Sequence, residues 1–409
     1  MWAQVGNYKL LKSLGKGAFG EVFLTQKIGQ NGVFATKKLN REYSEKEENI
    51  KRLSNEIKIL KYIHHNNITG LIDLMKTNNN IYIVMEYCNG GDLTKCLKKY
   101  TEINKRPFSE EIVQYLMKQI ITGLDFLHSK NILHRDLKLD NILICFKSDK
   151  DKNSVNMLQS TAKITDFGFS KIIEDPNNPI TFTLIGTPIY MSPGMVASMA
   201  NNTKNPGYNQ KADIWSLGVL CYEMLIGKCP FIGNSILDLY NKIKEGNYEL
   251  PNYVSHEAAL FIGAMLVKDE NKRLGCKELL KHDFLTKNYK DFKPLNIKEI
   301  PGVISQKDGF VIINSGINQL NNQLPVENKK DNFNQVKTVQ KEKDQIKQNN
   351  NSNININKPN NSNNQNPEKH TKIQNNPKGN QTGPKYGQGL ANNINPYKSS
   401  PIFYYGGSI

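Results

Sequence analysis

His134-Arg135-Asp136-Leu137-Lys138-Leu139-Asp140-Asn141 gathers a carboxylate, an ammonium and an amide carbonyl into a few residues. Transfer of a phosphoryl group to a hydroxyl needs a carboxylate that orients the hydroxyl and accepts its proton, and Asp136 is placed for that. Lys138, two residues on, can neutralise the transferring phosphate. Asn141 offers a carbonyl oxygen to a hard metal ion. Downstream, Asp166-Phe167-Gly168 supplies a second oxygen ligand beside a glycine that allows a sharp turn. Mg2+ takes a few such oxygens together with phosphate oxygens and water.

Working outward toward the N-terminus, Gly15-Lys16-Gly17-Ala18-Phe19-Gly20-Glu21-Val22 lies between two expected strands. Glycines let backbone amides approach phosphate oxygens with no Cβ in the way. Alone, this pattern is also compatible with a structural turn. It does not open a helix, which argues against a dinucleotide-binding turn. Fifteen residues after Val22 comes Lys37, on an expected strand. Lys37 and Lys38 are adjacent and so point to opposite faces. The spacing and the small Ala35 favour Lys37 as the one facing the phosphates. Glu56, on an amphipathic helix, can pair with it; the alternative is a solvated helix charge.

The surrounding chain supports a two-part α+β fold. Tyr8–Leu14, Glu21–Lys27, Val33–Leu39, Ile68–Leu74 and Ile81–Tyr87 read as strands. Glu45–Ile63 carries Ile50, Leu53, Ile57 and Leu60 at helical spacing. Residues 96–285 are mainly helical, with Glu110–Ser129 capped by Ser109, then Asp213–Ile226 and Glu257–Leu266. From about 326 to 409 the chain is rich in Asn and Lys and cannot bury enough apolar surface to offset chain entropy, so a disordered tail is expected. The formal charge is +16, but lysines alternate with Glu, Asp and Asn. A solvated basic surface is expected, and no nucleic-acid partner. The six cysteines form no Cys-x-x-Cys pair, and no segment reads as a signal peptide or membrane span. A reducing, cytoplasmic setting follows as the default.

In order and spacing these motifs resemble the eukaryotic protein kinase family over residues 8–285. The resemblance implies a small N-terminal sheet lobe (8–88) with one helix, a larger helical lobe (89–285), a C-terminal extension (286–325), and use of ATP and Mg2+. It implies that Gly15, Gly17 and Gly20 cover the phosphates, with Leu14, Lys16, Ala18 and Phe19 also among the ATP-binding residues. Val22 and Ala35 would sandwich the adenine above Leu143, and Lys37 would contact the phosphates and pair with Glu56. Met85 would be the gatekeeper, Glu86-Tyr87-Cys88 the hinge, and Asp92 a contact to the ribose or the peptide. Asp136 would be the base, with Asn141 and Asp166 on the metal. Leu60, Leu71, His134 and Phe167 match the family's apolar spine. Lys138 and Thr187, in Gly186-Thr187-Pro188-Ile189-Tyr190, mark the serine/threonine class, whose partners are protein substrates. Asp213 would brace the catalytic loop.

Thr183 falls where family members carry an activating phosphate, with Thr181 as the alternative. Arg135, Lys171 and Arg52 are candidates for its basic pocket. The chain departs from the family at Gly194, where a glutamate normally pairs with the arginine that stands here at Arg273. Residues Phe146 to Ser160 read as an inserted solvated loop. Met85–Leu93 and Asp166–Lys171 are similar to the autophagy-initiating unc-51-like kinases. Phe310 and Ile313 resemble a strand-forming motif bound by ubiquitin-like autophagy modifiers, against the alternative of an apolar patch packed on the domain. The competing functional classes are a pseudokinase or scaffold and a kinase of a non-autophagy subfamily.

Overall fold

The computed structural model describes residues 3–17, 20–40, 47–172, 186–202 and 207–316. All of these lie in the first of two units, Met1–Val326; the second is Glu327–Ile409. Thr181 and Thr183 fall outside the described residues.

The N-terminal lobe is an antiparallel six-stranded sheet: β1 (Gln4–Val5), β2 (Tyr8–Gly17), β3 (Gly20–Lys27), β4 (Val33–Asn40), β5 (Leu71–Lys76) and β6 (Asn80–Glu86), in the order β1-β2-β3-β4-β6-β5. Helix α1 (Glu47–Tyr62) accompanies it. Its buried stripe runs over Leu53, Glu56, Ile59 and Leu60, whereas Ile50 is exposed. Ile68, expected in a strand, instead bridges to Ile164 of the other lobe and is buried there. Its apolar side chain serves the contact between lobes, and β5 starts three residues later.

The second lobe begins with β7 (Gly91–Asp92) and α2 (Leu93–Asn104). Helix α3 (Glu110–Ser129) starts at Ser109 as expected, but the Ser109 side chain makes no capping hydrogen bond. Glu110 and Glu111 in its first turn complement the helix dipole there. The short β8 (Ile132–Leu133) leads into the loop around Asp136, and β9 (Ile142–Phe146) pairs with β10 (Ser160–Ile164) beneath the sheet lobe. The segment Phe146 to Ser160 joins β9 to β10 and is largely exposed, as expected, but it is not simply a loop. It contains α4 (Asp149–Ser154), capped by Ser148, and buries Val155 and Met157. Two apolar side chains at its end decide this; its polar composition had hidden them.

After β11 (Lys171–Ile172) come α5 (Pro193–Asn201), α6 (Gln210–Ile226), α7 (Ile236–Glu245), β12 (Asn247–Pro251) and α8 (His256–Met265). Helix α6 is buried nearly all round, with Trp215 and Tyr222 inside. A helix apolar on every face belongs in the middle of a domain, where all faces meet protein.

The chain then closes with a hairpin, β13 (Val303–Lys307) and β14 (Phe310–Asn314), which forms a three-stranded sheet in the order β12-β14-β13. This corrects the expectation that Phe310 and Ile313 offer a strand to a ubiquitin-like modifier. Strand β14 is central and hydrogen-bonded along both edges. Ile313 is 3% exposed opposite Tyr248, whereas Phe310 is exposed. An edge already paired on both sides cannot add to another sheet. The packed apolar patch is what the fold adopts.

Candidate active site

The loop at His134–Asn141 is held from below by α6. Asp213, at the start of that helix, accepts from the backbone N–H of His134 at 3.0 Å and of Arg135 at 2.9 Å. His128 Nε2 lies 2.9 Å from the same carboxylate, and Tyr208 Oη donates to it at 2.7 Å. Burial pushes the Asp213 carboxyl up, but the hydrogen bond and charge of His128, with His134 and the Arg135 amide, outweigh it. The group ends below its ordinary range. A fully buried anion is thereby fixed, and it pins a loop in which Arg135 has φ of 67°. Such a backbone costs a non-glycine residue about 1–3 kcal/mol and persists only where surroundings over-determine it.

On that loop Asp136 is 6% exposed and fully engaged. Its Oδ1 accepts from the Thr187 backbone N–H at 3.0 Å and the Thr187 hydroxyl at 3.1 Å. Its Oδ2 accepts from Asn141 Nδ2 at 3.0 Å and lies 2.8 Å from Lys138 Nζ. Lys138 also donates to the Thr187 hydroxyl at 2.8 Å. Asn141 spends its amide N–H groups on the carboxylate and, at 2.7 Å, on the Asp136 carbonyl. That orients its own carbonyl oxygen away from Asp136.

Asp166 sits at φ 64°, and Gly168 N–H donates to its Oδ1 at 3.4 Å. Lys37 Nζ is 2.8 Å from Glu56 Oε1 and 3.9 Å from Asp166 Oδ1. The alternative for Glu56, a solvated helix charge, does not fit a side chain that is 7% exposed. Phe167 is buried edge-on to His134, with ring centroids 5.6 Å apart, and Leu60 is buried while Leu71 is half-buried.

Above these groups β2 and β3 form a hairpin in which Gly15 faces Val22, Lys16 faces Glu21 and Gly17 faces Gly20. Gly20 has φ of +149°, and a Cβ there would stand 2.0 Å from the Lys38 carbonyl oxygen. Only glycine fits. Leu14 lies on β2 as well, and Ala18 and Phe19 lie outside the described residues. Val22 pairs with Lys37, and Ala35 with Met85. Leu143 lies on β9 opposite Lys163. Asp92 caps α2 by accepting from Lys95 N at 2.9 Å, with Lys95 Nζ at 2.6 Å. Glu86 turns away from the cleft, accepting from Gly70 N at 2.9 Å and pairing with Lys163 at 3.1 Å.

Sequence reading missed His128, Tyr208 and Lys163. His128 and Lys163 reach their partners only across the fold, and Tyr208, five residues before Asp213, belongs to no motif that marks it. Arg135 Nε donates to the Phe169 carbonyl at 2.5 Å, and Lys171 is half-buried on β11; the Arg52 side chain is outside what is described. Among the described residues no cluster of three His, Cys, Asp or Glu could hold a metal. The one amide carbonyl and one carboxylate at Asn141 and Asp166 are a different donor set, suited to an ion that keeps most of its ligands from phosphate and water.

A sequence model of the protein kinase domain matches residues 8–285. The myosin light chain kinase A of Dictyostelium discoideum is 36% identical over 285 residues, covering 69% of this chain and 88% of that protein. The serine/threonine-protein kinase atg1 of the same organism is 35% identical over 293 residues, 70% of this chain and 40% of its own length. The serine/threonine-protein kinase PLK4 of Xenopus tropicalis is 34% identical over 280 residues, 68% of this chain and 27% of its own. The match thus spans well under half of the PLK4 and atg1 proteins.

Proposed function

Because the chain belongs to the protein kinase family, we propose that it transfers the γ-phosphate of ATP to serine or threonine hydroxyls of protein substrates. The observation that carries this is the closed constellation of Asp136, Lys138, Asn141 and Thr187, held by Asp213. In this reading Asp136 orients the substrate hydroxyl and takes its proton, and Lys138 balances charge developing on the phosphoryl oxygens. Asn141 and Asp166 would hold Mg2+, whose chemistry is to neutralise phosphate charge. Lys37, fixed by Glu56, faces the α- and β-phosphates under the hairpin of Gly15, Gly17 and Gly20. The hinge backbone around Cys88 binds the adenine between Val22, Ala35 and Leu143. Asp92 reaches the ribose or the peptide as an additional acceptor.

The competing pseudokinase lacks a metal ligand, the strand lysine or the base, and this chain retains Asp166, Asn141, Lys37 and Asp136. Transfer of labelled phosphate to a generic basic protein tests the choice. Asp136→Ala should lower the rate by about 100-fold or more. Equal rates in the two proteins would overturn the assignment.

The similarity to Dictyostelium atg1 and the Met85–Leu93 and Asp166–Lys171 stretches support a cytoplasmic role in regulating autophagy. Comparable similarity to PLK4 supports a non-autophagy kinase. Loss of autophagic flux on deleting the gene, restored by the active chain and not by Asp136→Ala, separates them. Phosphorylation at Thr183 raises activity in this reading, as a charge added to the segment between Asp166 and Pro193.

A further inference from the structure

The chain leaving the hinge is fastened to β9 by one side chain. Asn89 follows Cys88, and its amide lies against the backbone of Phe146, the last residue of β9. Asn89 Nδ2 donates to the Phe146 carbonyl at 3.2 Å, and Oδ1 accepts from the Phe146 N–H at 2.7 Å. An exchange of two such bonds with one residue is how a neighbouring antiparallel strand pairs. No backbone is available to make it here, because residues 88–91 turn. The Gly91 N–H returns to the Cys88 carbonyl at 3.2 Å, and Gly91 has φ of +72°. Strand β7 pairs Gly91 with Ile144 and Asp92 with Leu143 and reaches no further along β9. The Asn89 side chain carries the ladder on to Phe146.

The turn is tied at its other polar groups as well. The Gly90 N–H donates to the Ile144 carbonyl at 2.8 Å, and the Cys96 thiol donates to the Gly90 carbonyl at 3.5 Å. A Cβ on Gly90 would stand 2.7 Å from the Ile144 carbonyl oxygen and 2.8 Å from the Phe146 ring, so the turn lies directly on the strand. The side-chain chemistry at residue 89 is also specific. A carboxylate has no donor for the Phe146 carbonyl, and an aliphatic side chain serves neither group. Phe146 is 6% exposed, and a buried residue whose polar groups lose their partners is costly.

We propose that Asn89 is a positioning residue for the nucleotide, setting the hinge backbone at a fixed height over β9. This rests on the kinase reading above, in which the hinge around Cys88 meets the edge of the adenine and Leu143 lies beneath its face. Asn89 stands next to Cys88 in the chain, and Phe146 lies three residues beyond Leu143 on the same strand. The amide thereby joins the two walls between which the adenine sits. It touches neither the base nor the phosphates. With the clasp in place the slot is formed before the nucleotide arrives. Without it, part of the binding free energy goes into bringing hinge and floor into register.

The test uses the full chain. Asn89→Ala removes both hydrogen bonds, and Asn89→Asp keeps the acceptor and loses the donor. ATP with Mg2+, titrated by calorimetry, should bind about tenfold more weakly to the alanine variant and about threefold or more weakly to the aspartate variant. The loss should fall on the KM for ATP, while kcat at saturating ATP and the KM for a generic basic protein change by less than about twofold. In a Leu143→Ala background the Asn89→Ala change should cost less than about threefold, because the floor it aligns has been removed. Amide exchange at Phe146 without nucleotide should be faster in Asn89→Ala. Unchanged ATP affinity in both variants, a loss that falls on kcat, an undiminished cost without Leu143, or unchanged exchange at Phe146 would each overturn the proposal. Failure of the parent protein to bind ATP would overturn the kinase reading instead, and the exchange measurement would still judge the clasp.

Discussion

Replacing Gly194 by glutamate should make this protein more stable. Arg273 is 2% exposed. Its guanidinium donates to the Val267 carbonyl at 3.0 and 2.7 Å, to Lys268 at 3.4 Å, and to the Lys211 carbonyl. It also lies 5.3 Å from the centroid of the Trp215 ring. No described carboxylate forms an ion pair with it. The arginine has therefore re-paired with backbone oxygens and stayed dry. Burial lowers it from 12.5 to about 10, which corresponds to about 3 kcal/mol of penalty on the buried charge.

Gly194 is exposed in the first turn of α5, so a longer side chain has room. In the family a glutamate from this position pairs with the arginine, and recovering part of the penalty should give about 1–3 kcal/mol. For a domain of this size that is a rise in Tm of roughly 2–10 °C. Glutamate also improves helix propensity over glycine by about 0.5–1 kcal/mol and suits a helix N-terminus. Gly194→Gln carries nearly all of the propensity gain without the charge and is the control. Thermal melts of the parent and both variants at low and high salt separate the contributions. A buried pair keeps its gain in salt, whereas an exposed dipole interaction is screened. Equal melting of the Glu and Gln variants, or a difference that vanishes in salt, would refute the reasoning.

Two further expectations concern the C-terminal part of the folded unit. Ile313→Ala should cost about 2–4 kcal/mol in urea unfolding, because Ile313 is buried opposite Tyr248, while Phe310→Ala should stay within about 1 kcal/mol; equal small effects would show that the hairpin is not seated. Burial lowers His282 to about 4, and its Nδ1 accepts from Phe284 N at 3.1 Å. The unfolded chain binds that proton first, so stability should be full above about pH 6.5 and fall as pH drops toward 4; His282→Asn, which keeps a capping acceptor, should flatten Tm across that window.

The candidate constellation was legible because the residue types that phosphoryl transfer asks for stand at short spacings. Asp136, Lys138 and Asn141 lie within one loop, so chain geometry alone keeps them near each other. The strands and helices were legible where periodicity was strong, as in Glu110–Ser129. The short helix in the polar insertion was missed because composition registers the many charged residues and overlooks Val155 and Met157, which anchor it. The sequence left Phe310 and Ile313 open between a peptide motif and a packed patch, because a strand with alternating apolar residues carries no mark of whether its edges will be taken.

By itself, the sequence determined the family, the candidate base and metal ligands, and the strand lysine. These are local patterns whose chemistry demands particular side chains in order along the chain. Only the tertiary structure decided who holds them. Asp213 keeps its carboxylate low through His128, His134 and the Arg135 amide, which come to it from other segments. Arg273 keeps its charge by turning to carbonyls of residues 211, 267 and 268. Burial and hydrogen bonding between distant segments set these groups' charges, and neither is a property of neighbours in the chain.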